Sequence, residues 1–255
     1  MVAGVFFLFA VAWLWRDPML MVRGAFAAQR WWIGLSSQQV EAGKHRWVYA
    51  EREAVKPDAP TLVMVHGFTG SKENWYPMAA RLGGHYRLIV PDLPGWGASE
   101  RKPGEDYGFN AQSARLAEFV EKIRRPGSAV VLLGHSMGGG ITAITAADHP
   151  REIARVGLFD AAGVRFKNNR FGEQVLAGEN PFAVYDDASL KRYIDTVFYD
   201  ADAKPFLPWP IAQALIGWRK RQAPFEQSVL DRIGRGDESF LPGEAASAID
   251  QPALL

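Results

Sequence analysis

The chain has 255 residues, which is enough to bury one good hydrophobic core, so we expect one domain with an insertion. Its content of 48% hydrophobic and 22% charged residues is that of an ordinary globular protein. A net charge of +1 without a basic stripe argues against nucleic-acid binding, and the lack of cysteine excludes disulfides and thiolate metal sites.

The N-terminus, residues 1–35, is predicted to attach the protein to a membrane. Residues 1–15 are uncharged and strongly apolar, but slightly too few for a full span. No lysine or arginine precedes Arg16, and the A-x-A pattern at Ala25-Phe26-Ala27 lies beyond two arginines. This arrangement favours a single retained anchor over a cleaved secretory signal, with a core helix as the third alternative.

A helix is predicted directly after this run, opened by Asp17-Pro18 and stopped by Gly34. Its apolar residues share one face: Met19, Val22, Phe26 and Ile33. Arginines recur every seven residues on another face, and Trp31 and Trp32 follow, which is typical of a helix in a membrane interface. The alternative is an amphipathic helix packed on its own domain. If the apolar run spans the membrane, these arginines place the main domain on the cytoplasmic side.

Residues 40–162 alternate between strand and helix patterns. Strands are predicted at 45–52, 61–65, 86–90, 129–133 and 156–160, and helices at 75–82, at 110–123 with Asn110 as its cap, and at 141–147. The alternation predicts the α/β class, with a mostly parallel sheet and helices on both faces. Such sheets bind ligands at the carboxyl ends of their strands. Four polar segments lie at those ends: 66–70, 92–99, Ser136 and Asp160.

The segment Gly134-His135-Ser136-Met137-Gly138 lies between a buried strand and a helix-like run. Strand, sharp turn with serine and helix is the context that a G-x-S-x-G nucleophile elbow requires. The glycines are needed because a side chain at either position would clash as the backbone folds around Ser136. The spacing alone also fits an ordinary strand-to-helix turn, so the prediction of Ser136 as nucleophile depends on the neighbouring motifs.

Three motifs together resemble the α/β-hydrolase superfamily: His66-Gly67-Phe68, the segment 91–99 with sequence PDLPGWGAS, and Gly134-His135-Ser136-Met137-Gly138-Gly139. Over residues 40–255 the chain is similar to monoacylglycerol-lipase-like hydrolases with an N-terminal membrane segment, and to small bacterial lipases. The resemblance implies an acyl-enzyme mechanism through Ser136, with the backbone N–H groups of Phe68 and Met137 as oxyanion donors. It implies neither a metal nor a cofactor.

The same rim offers candidates for substrate binding: His66, His135 and Trp96. His66 is expected to bond locally and to shape the oxyanion loop rather than to act as the base. The His135 side chain is expected to point away from Ser136 Oγ, because the two residues are adjacent in sequence. Asp92 is expected to hold a turn.

Residues 163–250 are predicted to form a helical cap, or lid, with helices at 180–199 and 209–233 and many aromatic residues. Packing of these aromatic residues between cap and core is the alternative. Residues 251–255 read as the first part of another buried strand.

The resemblance implies an acid after this strand and a histidine after the next one, and neither position lies within the sequence. His149 follows Ser136 but is expected to lie too far away, and Asp160 is at most a displaced acid. We therefore expect a C-terminally truncated serine hydrolase of lipid-like carboxylic esters, inactive as it stands. The alternative is a non-catalytic, membrane-anchored binding or scaffold domain.

Overall fold

The computed structural model describes residues 17–255, so the apolar run at residues 1–15 lies outside the described residues. The contacts divide the chain into two compact units. The sheet unit comprises Arg30–Asn168 and Asp231–Leu255, and the helical unit comprises residues 17–29 and Asn169–Leu230.

The sheet unit is built on seven strands in the order β1-β2-β4-β3-β5-β6-β7. Their bounds are β1 Ser36–Ala42, β2 His45–Arg52, β3 Thr61–Val65, β4 Arg87–Pro91, β5 Val130–His135, β6 Arg155–Phe159 and β7 Ala253–Leu254. Strand β2 pairs antiparallel with β1 and β4, and the remaining pairs are parallel. The predicted mostly parallel sheet is confirmed. The strand predicted at 251–255 is present as β7, but its two residues are exposed rather than buried.

Eight α-helices lie within the described residues. They are α1 Met19–Trp32, α2 Tyr76–Arg81, α3 Phe109–Ile123, α4 Met137–Asp148, α5 Arg170–Leu176, α6 Asp187–Val197, α7 Ile211–Arg235 and α8 Leu241–Ala245. None of them is both long enough and apolar enough to cross a membrane.

Helices cover both faces of the sheet. On one face, Leu62 and Met64 of β3 belong to the same buried cluster as Tyr76 of α2. On the other face, Trp47 of β2 stacks on Phe119 of α3, with ring centroids 4.5 Å apart. Helix α4 packs beside α3. The central strands β3 and β4 are therefore buried at every position, with side chains alternating between the two faces.

One predicted helix cap is wrong. Helix α3 begins at Phe109 with Gly108 as its N-cap, so Asn110 lies inside the first turn. The backbone N–H of Asn110 donates instead to Glu238 Oε2, at 3.2 Å. A distant carboxylate supplies the acceptor that the helix start needs, and the side chain of Asn110 is not required as a cap.

The helical unit has its own small apolar cluster, formed by Val184, Leu190 and Ile216. The helix predicted at 180–199 begins later, at Asp187, because Asp186 caps it: its Oδ1 accepts from the backbone N–H of Ser189 at 2.8 Å. Six of the aromatic residues described in this unit are exposed: Phe26, Phe171, Tyr185, Tyr199, Phe206 and Trp209. The role of residues 163–250 as a lid stays a prediction.

Candidate active site

Ser136 occupies the turn between β5 and α4. Its backbone has φ 54° and ψ −122°, a conformation that L-residues rarely adopt. Such a conformation costs about 1–3 kcal/mol and persists only where the surrounding structure enforces it. The predicted sharp turn is therefore present, with the serine at its apex and its side chain half-buried.

The flanking glycines leave no room for side chains. A Cβ atom on Gly134 would lie 2.3 Å from the carbonyl oxygen of Gly138. A Cβ atom on Gly138 would lie 2.4 Å from the carbonyl oxygen of His66. Since both obstacles are backbone atoms, glycine is required at these two positions for the elbow to close.

The loop after β6 holds Ser136 through its backbone. The N–H of Ser136 donates to the carbonyl of Phe159 at 2.9 Å, and the N–H of Ala162 donates to the carbonyl of Ser136 at 2.9 Å. The same carbonyl accepts from the N–H of Gly140 at 3.1 Å. These bonds supply the constraint that the strained backbone needs.

The oxyanion loop, residues 66–70, lies directly against the elbow. A Cβ atom on Gly67 would lie 3.0 Å from Ser136 Cβ. The carbonyl of Gly67 accepts from the N–H of Gly70 at 3.1 Å and from His66 Nδ1 at 2.9 Å. Because a trans peptide sets its C=O and N–H in opposite directions, these bonds also fix the direction of the Phe68 N–H. The Met137 N–H lies in the first turn of α4, where the helix itself provides no acceptor.

His66 is fully buried and uses both ring nitrogens within this loop. Its Nε2 accepts from the N–H of Leu93 at 3.0 Å, so the proton is on Nδ1, which donates to Gly67. Burial lowers the pKa of His66 and outweighs the opposing effect of Asp92. The ring is therefore neutral and has no exposed atoms.

His135 and Trp96, the other two predicted substrate-binding residues, lie on different sides of the oxyanion loop. His135 is exposed, and its Nδ1 lies 3.2 Å from where a Cβ atom of Gly67 would be. Trp96 is buried and meets both His66 and Phe68 edge to face, with ring centroids 6.4 Å apart in each pair. Trp96 thus supports the loop from behind, whereas His135 borders the open side.

Asp92 holds the loop after β4, as predicted, and its carboxylate is fully buried. Its Oδ1 accepts from the backbone N–H of Lys72 at 2.8 Å, and its Oδ2 accepts from the N–H of Ala98 at 2.8 Å. The ammonium of Lys72 completes the set, 2.7 Å from Oδ2. The role of Lys72 was not predicted, because a lysine in a Ser-Lys-Glu-Asn segment is typical of an exposed turn.

Within residues 17–255, no histidine or carboxylate contacts Ser136 Oγ. His149 follows the last residue of α4, a helix of 12 residues, and so lies about 18 Å along the helix axis from Ser136. Asp160 is exposed directly after β6, with φ 45°. The described residues also contain no group of three metal-ligating side chains. The site therefore presents a serine beside the loop 66–70, which is predicted to supply an oxyanion donor, without a base hydrogen-bonded to the serine hydroxyl among the described residues.

Comparisons with known proteins agree with this geometry. The family described as alpha/beta hydrolase fold matches residues 60–192, just over half of the chain. Lipase 1 of Psychrobacter immobilis is 30% identical over 193 residues, which are 75% of this chain and 59% of that protein. Monoacylglycerol lipase abhd6-B of Xenopus laevis is 30% identical over 154 residues, which are 60% of this chain and 44% of that protein. This chain thus spans only part of the length of these curated relatives.

A solved structure is also similar to this chain over nearly its whole length. A membrane phospholipase A, described as a bacterial virulence factor, superposes with a TM-score of 0.81 and is 29% identical. The match covers 99% of this chain and 79% of that chain.

Proposed function

Because this chain belongs to the alpha/beta hydrolase fold family, we propose that it is a serine hydrolase of lipid-like carboxylic esters. Its relatives include lipases, which supports a hydrolase of the lipase kind. The observation that carries the proposal is Ser136, held at φ 54° on a strand-to-helix turn against the oxyanion loop. If this turn were only structural, glycine would adopt the positive φ with less strain than serine.

The proposed chemistry is acyl transfer to Ser136. The Oγ attacks the ester carbonyl, and the N–H groups of Phe68 and Met137 stabilise the oxyanion that forms. The alcohol leaves, and water then hydrolyses the acyl-enzyme. Attack also needs a base, and no described histidine contacts Oγ, so the proposal is tested on the product of the complete gene.

The support for a lipid-like acyl chain comes from the relatives, which include lipases. The side chains of Phe68 and Met137 are buried, so only their backbone N–H groups are proposed to act on the substrate. We assign His135 and Trp96 to substrate binding, His135 at the open side of the loop and Trp96 through its contact with Phe68. His66 acts from within the loop, because its ring is buried.

A fluorophosphonate probe tests the nucleophile. We expect the complete gene product to be labelled at Ser136 and to hydrolyse p-nitrophenyl esters, and Ser136→Ala to lose both properties. Ser37→Ala, a change in the exposed edge strand β1, is the matched control and should be labelled like the wild type. A folded, unlabelled gene product would contradict the proposal and leave the alternative, a non-catalytic binding or scaffold domain.

We further propose that α1 binds a membrane interface. No residue of α1 is buried, and Trp31 and Trp32 are 78% and 82% exposed. Tryptophan prefers the boundary between water and lipid, since its ring is apolar and its N–H is polar. Of the predicted apolar face, Ile33, which directly follows α1, packs against the core of the sheet unit, whereas Phe26 is exposed. The alternative, in which α1 packs its apolar face on its own domain, is therefore met only at the end of the helix. The described residues give no information on the anchor predicted for residues 1–15.

Vesicle co-sedimentation tests this attachment. A chain starting at residue 17 isolates α1 from the apolar run, and we expect Trp31→Ser/Trp32→Ser to lower its partition to phosphatidylcholine vesicles at least several-fold. Tyr199→Ser/Phe206→Ser removes two aromatic rings that are 105% and 89% exposed elsewhere and is the control. Equal partition of the tryptophan variant and the wild type would contradict the proposal.

A further inference from the structure

Lys72 is a buried lysine that the proposed chemistry does not use. Only 5% of the residue is exposed, and its ammonium lies between two carboxylates, 2.7 Å from Asp92 and 2.9 Å from Glu73. Burying a charge in this way is unfavourable unless it is paired. This cluster lies directly after the oxyanion loop, in a position to hold that loop in place.

The cluster joins two loops at the carboxyl ends of β3 and β4. Asp92 begins the loop after β4. Its carboxylate accepts hydrogen bonds from both the backbone N–H and the ammonium of Lys72. Burial alone would lower the pKa of Lys72. The attraction of Asp92 and Glu73 is stronger, so the pKa of Lys72 is raised. The lysine is therefore a fixed positive charge that ties the segment after the oxyanion loop to Asp92.

His66 lies within the field of the same three charges. Asp92 and Glu73 favour its protonated form, while Lys72 and the burial of the ring favour the neutral form. The neutral form is required, because the Leu93 N–H donates to Nε2. Protonation would place two N–H donors against each other and break the link between the loops. It would thereby release the ring that fixes the Gly67 carbonyl.

We propose that Lys72 is a positioning residue of the oxyanion loop: by compensating Asp92 it keeps His66 uncharged and the Gly67–Phe68 peptide in place beside Ser136. The inference rests on the proposed function, since positioning matters only if Phe68 donates to an oxyanion. Lys72 itself does not touch the substrate.

The kinetic test is Lys72→Met in the complete gene product. Without the cation the pKa of His66 rises, so the fraction of imidazolium grows as the pH falls. We expect the ratio of variant to wild-type kcat to fall about tenfold per pH unit below the new pKa, because one proton is taken up. KM should change less than about twofold, since the oxyanion contact forms in the transition state.

Two variants are matched controls. Lys72→Arg keeps the charge and should show no additional loss at low pH. Glu73→Gln removes a negative charge that favours imidazolium and should show none either. If Lys72→Met does not fold, Lys72→Gln is the second neutral variant. A folded neutral variant whose kcat ratio is independent of pH would overturn the inference, and so would failure of both neutral variants to fold while Lys72→Arg folds.

Nitrogen NMR of His66 separates the two proposals. We expect the wild type to keep the neutral Nδ1–H form over the pH range of the kinetic test, and His66 of Lys72→Met to become protonated at a higher pH than in the wild type. The gene product could lack esterase activity while His66 titrates only in the variant. In that case the proposed function is wrong, but the electrostatic role of Lys72 stands. A His66 that stays neutral in the variant would overturn that role, whatever the activity.

Discussion

Two residues of the site are each fixed in one state by the surrounding backbone. Ser136 has a positive φ, and the loop after β6 holds it there through backbone hydrogen bonds. His66 is held in its neutral form, with Nε2 accepting from the backbone N–H of Leu93. The strained turn at Ser136 costs folding free energy, and both constraints give a hydroxyl or a backbone N–H a fixed direction.

The neutral state of His66 predicts how stability depends on pH. Because its pKa is lowered in the folded chain, the unfolded chain binds more protons below about pH 6.5. Its contribution to stability is present above that pH and is lost as the pH falls. We expect His66 alone to lower the free energy of unfolding by up to about 1.4 kcal/mol per pH unit in this range.

Urea unfolding of the wild type and of His66→Gln between pH 5 and 7 measures this term. The variant should be less stable at pH 7, and its stability should fall less steeply on acidification. His135 is present in both proteins, so its contribution to the pH dependence cancels in the comparison. Parallel pH profiles for the two proteins would show that His66 does not titrate differently on folding.

At the scale of elements, the sequence predicted those strands and helices whose apolar residues are buried and regularly spaced. Strand β3 is buried at every position, so its apolar run identified it. The edge strand β1 exposes most of its polar side chains and was not predicted, because no apolar period marks it. Helix α5, with only seven residues, was not predicted either. Its short length leaves little periodicity to detect.

The candidate site was predictable to the same degree. The turn at Ser136 and the position of the loop 66–70 follow from strand ends and glycine positions, whereas their catalytic roles come from the resemblance to the α/β-hydrolase superfamily and stay predictions. The contacts of Lys72 were not predictable, because its partner Asp92 is 20 residues away along the chain. The same holds for the proton on His66, which depends on Leu93, 27 residues away. Long-range pairing of polar groups leaves no periodic signal in a sequence.

At the scale of the whole molecule, each unit carries its own apolar cluster and its own buried ion pair. In the sheet unit the pair is Lys72–Asp92, beside the site. In the helical unit it is Arg219–Glu226, at 2.9 Å, with both side chains nearly inaccessible. Arg219 also donates to the carbonyl of Phe182 at 2.8 Å and lies over the ring of Tyr193. Arg219 of α7 therefore connects this helix with α6 and with the segment before α6.

Removing the charge of Arg219 should loosen the helical unit locally. Arg219→Met leaves the Glu226 carboxylate buried without its cation, which typically costs about 3–5 kcal/mol. We expect hydrogen exchange to accelerate in α6 while β3 and β5 keep their protection, because the sheet unit has a separate core. The control is Lys191→Met, which removes an exposed lysine from α6 itself. It should leave hydrogen exchange in α6 unchanged. Equal acceleration in β3 and β5 would show instead that the two units unfold together, and the buried pair would then stabilise the entire molecule.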